Sequence, residues 1–70
     1  MNNLALLRQL LSFMSIKDPN GDWDELDAVD ATKQDLIYLL AVLTEWISEG
    51  LEITPIVKED IEYLNQIITN

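Results

Sequence analysis

Cysteine and histidine are both absent from this chain of 70 residues. Without cysteine there is no disulfide to staple a small fold, no thiolate nucleophile and no soft metal ligand. Without histidine the usual general base near neutral pH is missing, and so is the commonest zinc ligand. Glycine and proline are down to two each, which leaves no glycine-rich phosphate loop and no flexible linker. Basic residues are scarce, four against thirteen acidic ones, for a net charge of −9. Such a chain is repelled by the phosphate backbone of nucleic acids and by anionic bilayers. No candidate recognition helix carries a basic face, so a helix-turn-helix reader is excluded as well. No apolar run approaches the roughly 20 residues that a membrane-spanning helix needs. The first fifteen residues, MNNLALLRQLLSFMS, have the apolar character of a secretory leader. They lack its basic start, and Arg8 and Gln9 interrupt the run, so they read as a helix of the folded domain and a cytoplasmic location is expected.

What remains is apolar. Hydrophobic residues make up 49% of the chain, enough to argue against intrinsic disorder. The length predicts a single helical domain over 1–70, near the lower limit for a self-sufficient core. The organising stretch is 32–50, TKQDLIYLLAVLTEWISEG. Leu36, Leu39, Leu40, Leu43, Trp46 and Ile47 recur at spacings of three and four, which places them on one face of a helix. Ile37 and Ala41 fall on the opposite side, so this helix is expected to touch more than one neighbour. Thr32 and Asp35 have the spacing of a capping box, with Asp30 as a competing cap. Gly50 stands where a left-handed residue ends a helix.

Residues 3–15 predict a first helix capped by Asn2 or Asn3. Its apolar stripe is Leu4, Leu7, Leu11 and Met14, widened by Leu6, Leu10 and Phe13. The third helix is expected from Pro55 to about Ile68, with Thr54 as N-cap and proline in the favoured first position. Val57, Ile61, Leu64 and Ile68 form one ridge of that helix, and Ile56, Tyr63 and Ile67 form a second, with Asp60 between them. One ridge suffices for an internal core. The second needs a cover, and Ile56, Tyr63 and Ile67 are therefore the expected interface of a homodimer. The expected fold class is all-α, a three-helix bundle with a short extra helical turn in the acidic connector.

That connector, 16–31, opens with the turn signal Asp18-Pro19-Asn20-Gly21, in which proline presets one dihedral and glycine supplies the unusual one. Asp22 can cap a short turn over 23–28 whose Trp23, Leu26 and Val29 present an apolar edge. Between Asp18 and Asp30 lie six acidic residues and no basic one. Asp18, Asn20 and Asp22 match positions one, three and five of a calcium loop, but Trp23 stands where glycine is needed and Val29 where the bidentate glutamate is needed. A solvated acidic turn is the simpler reading, and neither a metal site nor a cofactor is expected.

No Ser-His or Cys-His pairing can exist, and a helical domain of this size rarely encloses the dry cleft that shifts a carboxylate pKa; an enzyme is not expected. Ser12, Ser15 and Ser48 lack the Asp-Ser-Leu context of an acyl carrier. The remaining expectation is a non-enzymatic interaction module that occupies a basic surface of a partner protein. Asp22, Asp24, Glu25 and Asp27 supply steering charge and Trp23 an aromatic anchor. In size and charge, though in no motif, the chain resembles small acidic inhibitors made by phages and mobile elements, including anti-CRISPR proteins and nucleic-acid mimics. The alternatives are a structural or assembly subunit held by apolar ridges and, third, a calcium-responsive module.

Overall fold

In the computed structural model the described residues are 2–23 and 28–69. They form three α-helices, α1 (Asn3–Lys17), α2 (Lys33–Ser48) and α3 (Pro55–Thr69), and no strand. The all-α class and the number and order of the helices are those the apolar periodicity predicts. The extra helical turn expected over 23–28 lies, at 24–27, outside the described residues. The chain divides into two units, Met1–Thr32 and Lys33–Asn70.

In the first unit, α1 starts because Asn2 caps it. The Asn2 side chain accepts a hydrogen bond from the Ala5 amide at 2.7 Å, satisfying one of the donors that a helix N-terminus leaves unpaired. The helix runs two residues further than the periodicity suggests and stops where the Asp18 amide donates to the Met14 carbonyl. Leu6, Leu7, Leu10 and Met14 are buried. Leu4, Leu11 and Phe13 are only half-buried, so the face is centred on Leu6 and Leu10 rather than on Leu4 and Leu11. Asp18-Pro19-Asn20-Gly21 closes a turn, with the Gly21 amide donating to the Asp18 carbonyl at 3.0 Å. Gly21 does not have a positive φ. It is needed for space: a Cβ there would collide with the Trp23 indole and the Asp18 carboxylate.

The second unit is a helical hairpin in which α2 and α3 pack on each other. α2 begins at Lys33, so Thr32 and Asp35 stand at the N-cap and third helical positions, the spacing the capping box requires. Its end is a Schellman motif. Gly50 has φ 108°, its amide donates to the Ile47 carbonyl, and the Leu51 amide donates to the Trp46 carbonyl, both at 3.0 Å; these are the bonds that satisfy orphan carbonyls at a helix C-terminus. Leu36, Leu39 and Leu43 are buried and Leu40 and Trp46 half-buried. Ile47 departs from the expected core face: in the last turn, at the very end of the helix, it stays exposed. α3 begins as its sequence predicts, with the Val57 amide donating to the Thr54 hydroxyl at 3.2 Å and Pro55 in the first position.

Candidate functional site

Burial along α3 does not follow either expected ridge alone. The buried residues are Val57, Asp60 and Leu64, at i, i+3 and i+7, one stripe of a helix. Ile61, Ile67 and Ile68 are half-buried. A carboxylate thus stands in the middle of the apolar stripe. Asp60 is 4% exposed, and its Oδ2 is buried with no hydrogen-bond partner. Burial pushes its pKa above the usual aspartate value of 3.8, and the neighbouring Glu59 adds to the shift. Both causes act the same way, because a charge removed from water and set beside a like charge is better neutral.

Next to this stripe lies the second ridge. Ile56 is 62% exposed and Tyr63 38% exposed; Ile67 is half-buried. On a helix, residues three and four apart are neighbours. Asp60 follows Ile56 by four and precedes Tyr63 by three. Glu59 follows Ile56 by three and precedes Tyr63 by four. The two consecutive carboxylates therefore flank the Ile56–Tyr63 ridge, one on each side, with Glu59 exposed and Asp60 buried. Apolar anchors bordered by negative charge are the elements of a surface for a partner that is both apolar and basic.

The acidic connector has a different character. Asp22 is exposed, as a steering charge must be. Trp23 is half-buried, and its indole Nε1 donates to Asp18 Oδ2 at 3.1 Å. Asp24, Glu25 and Asp27 lie outside the described residues. The Arg8 guanidinium donates from Nε and Nη2 to the Ala28 carbonyl at 3.2 and 2.7 Å, fastening the end of the connector to α1. Lys17 stands with its ammonium 5.7 Å from the centroid of the Phe13 ring, within cation–π range. Two of the four basic residues are thus engaged inside the first unit. Of the calcium-loop candidates, Asp18 spends one oxygen on Trp23. Among the described residues no cluster of three or more carboxylates has metal-site geometry, and none of the described helices is long and apolar enough to cross a membrane.

In the sequence Asp60 falls between two apolar ridges, a position that by itself implies no role. The signal that could have found it is its spacing: a charged residue three after Val57 and four before Leu64 is carried onto the apolar face.

No protein-family model, curated protein or solved structure matches the chain.

Proposed function

We propose that the protein is a non-enzymatic, cytoplasmic interaction module that occupies a basic surface on a partner protein. The observation that carries this reading is the α3 ridge, where Ile56 and Tyr63 stand exposed between the carboxylates of Glu59 and Asp60. The charge behind it is spread over both units: six of the thirteen acidic residues precede Lys33 and seven follow it. Long-range attraction of a basic partner therefore does not depend on the connector alone. Asp22, Asp24, Glu25 and Asp27 contribute to steering. Trp23, with its N–H engaged by Asp18, serves to order the connector as well as to meet a partner.

The test is capture from host lysate at low and high salt with tagged wild type, the Asp24→Lys/Glu25→Lys double variant and Ile56→Glu, read by mass spectrometry. A basic protein held at low salt and released at high salt, and lost with Ile56→Glu, is the expected result. Retention of that protein by the double reversal removes the connector from the interface. Recovery of the bait alone at both salt concentrations refutes the reading.

The same exposed ridge supports a second reading, a homodimer through Ile56, Tyr63 and Ile67. Each copy would then bring negative charge to negative charge, which argues for the basic partner over the second copy. Because Ile67 is half-buried and Ile56 is not, Ile56→Glu is the cleaner substitution. A wild type that sediments as a dimer and becomes a folded monomer with Ile56→Glu would establish the homodimer.

A further inference from the structure

Asp60 is an unusual residue to keep in an apolar stripe. A carboxylate oxygen without a partner, in a residue 4% exposed, carries the desolvation cost of burial with nothing returned for it. A proton, a neutral hydrogen-bond donor or a cation can relieve it, and the cation makes the strongest bond to a carboxylate. The chain supplies no cation to this oxygen. Arg8 is committed to the Ala28 carbonyl and Lys17 to the Phe13 ring. Lys33 and Lys58 are exposed, and Lys58, two residues before Asp60, points away from it on the helix. A metal ion is not favoured, since no cluster among the described residues provides its ligands.

Resting on the interaction reading above, we infer that Asp60 is the receptor for one arginine of the basic partner, which enters between Ile56 and Tyr63 and donates to Oδ2. Three observations converge on it. The oxygen is desolvated in advance, so the cost of drying it is met by folding and not at the moment of binding. Beside it on the adjacent ridge stand two exposed side chains, Ile56 and Tyr63, able to pack on the methylene stem of an arginine. Access runs past Tyr63: a helical side chain leans over the turn N-terminal to its own Cα, which for Tyr63 is the turn that holds Asp60. Tyr63 is 38% exposed and forms the outer edge of this approach. A guanidinium suits this site better than an ammonium because it is more weakly hydrated and gives up its water more readily.

The probe is an alanine-based helical peptide carrying two leucines two turns apart with a single arginine between them, beside counterparts in which that arginine is lysine or the isosteric but neutral citrulline. Binding is measured by titration calorimetry on wild type, Asp60→Asn and Glu59→Gln. The last two remove the same charge from adjacent residues, so any effect of net charge is common to both. Asp60→Asn is expected to weaken the arginine peptide about tenfold or more, Glu59→Gln by less than about twofold. The peptides are expected to rank arginine above lysine above citrulline. In parallel, the carbon resonance of the Asp60 carboxyl is followed against pH. Its midpoint should fall when the arginine peptide is added and stay in place with citrulline. Equal losses for the two variants, equal binding of the arginine and citrulline peptides, an unmoved midpoint, or no binding by any peptide each overturns the inference. Binding that depends on Ile56 but not on Asp60 removes the arginine receptor and leaves the wider interaction reading standing. Arginine selectivity here, with no basic protein captured from lysate, removes the wider reading instead.

Discussion

The connector of the first unit and the α3 stripe of the second are both acidic, yet they treat their polar groups in opposite ways. In the connector, polar groups find one another: the Trp23 indole meets Asp18, and the Arg8 guanidinium meets the Ala28 carbonyl. On α3, Asp60 is drawn into the apolar stripe and one of its oxygens meets nothing. The density of acidic residues is the weaker guide to where a partner is needed, because exposed carboxylates are satisfied by water. A buried donor or acceptor without a partner is the stronger guide, because the cost it carries is removed only by something from outside or by a change in its own protonation.

The largest effect that separates the two regions is expected within α3 itself. Leu64 is fully buried, one turn beyond Asp60 on the same stripe. Leu64→Ala should lose about 2–5 kcal/mol of stability in urea denaturation. Asp60→Leu, at an equally buried position, should do the reverse and gain about 1–3 kcal/mol at neutral pH, because it replaces an unpaired polar group by an apolar one. A loss at Asp60 of the size seen at Leu64 would mean that the carboxylate is well accommodated, and the contrast drawn above would fail.

The pH dependence sharpens the same contrast. The Asp60 pKa in the folded protein is raised above the ordinary aspartate value of 3.8. Between 3.8 and the folded value, the folded chain holds a proton that the unfolded chain has released. By linkage, stability falls as pH rises through that window; the cost is absent below it and fully present above it. The stability advantage of Asp60→Asn over wild type should therefore be largest at neutral pH and vanish in acid. The other carboxylates are common to both proteins and cancel in the comparison. An advantage independent of pH would show that the substitution acts through packing alone.

How much of this was legible in the sequence follows the range of the forces involved. Caps and stops were legible because they are local: Asn2, Thr54 with Pro55, and Gly50 are read from one turn of chain. The buried leucines were legible because periodicity carries them. Three features were not. Ile47 has the spacing of a core residue and is exposed, since spacing does not reveal how far along a helix its cover extends. Gly21 in the turn 18–21 suggests a dihedral requirement, whereas its φ is ordinary and the constraint is the approach of the Trp23 ring two residues on. Asp60 was set between two ridges, because a ridge is drawn through apolar residues and the buried face is drawn through whatever the packing encloses. The site was less legible than the fold for this reason. Exposed acidic residues announce themselves in a sequence, and a buried one is hidden among its apolar neighbours.

Glycine provides the next test, since the chain has one in each unit with a different role. Gly50 has open space around its missing Cβ but a φ of 108°. Gly50→Ala should cost about 1–2 kcal/mol from backbone strain alone, with thermal unfolding as the measure and with no change in the environment of either tryptophan. Gly21→Ala is the converse. Its backbone is ordinary, so the whole effect should come from displacing the indole, and the Trp23 N–H proton resonance should shift while that of Trp46 does not.

The smallest effect expected is at Asp18. Asp18→Ala removes the acceptor of the Trp23 N–H in a part-buried setting. Water can replace a partner there, so the loss should be no more than about 0.5–1.5 kcal/mol. Asp18→Asn keeps an acceptor oxygen at the same place and should recover most of it, because the bond needs a lone pair and not a charge. The outcome bears on the connector as an interaction surface. If both variants hold Trp23 in place, the ring is kept by packing and the bond to Asp18 is not what orders the connector. If Asp18→Ala releases the ring while Asp18→Asn does not, the connector is a self-contained motif whose aromatic residue is occupied at home, and the weight of partner recognition shifts to α3.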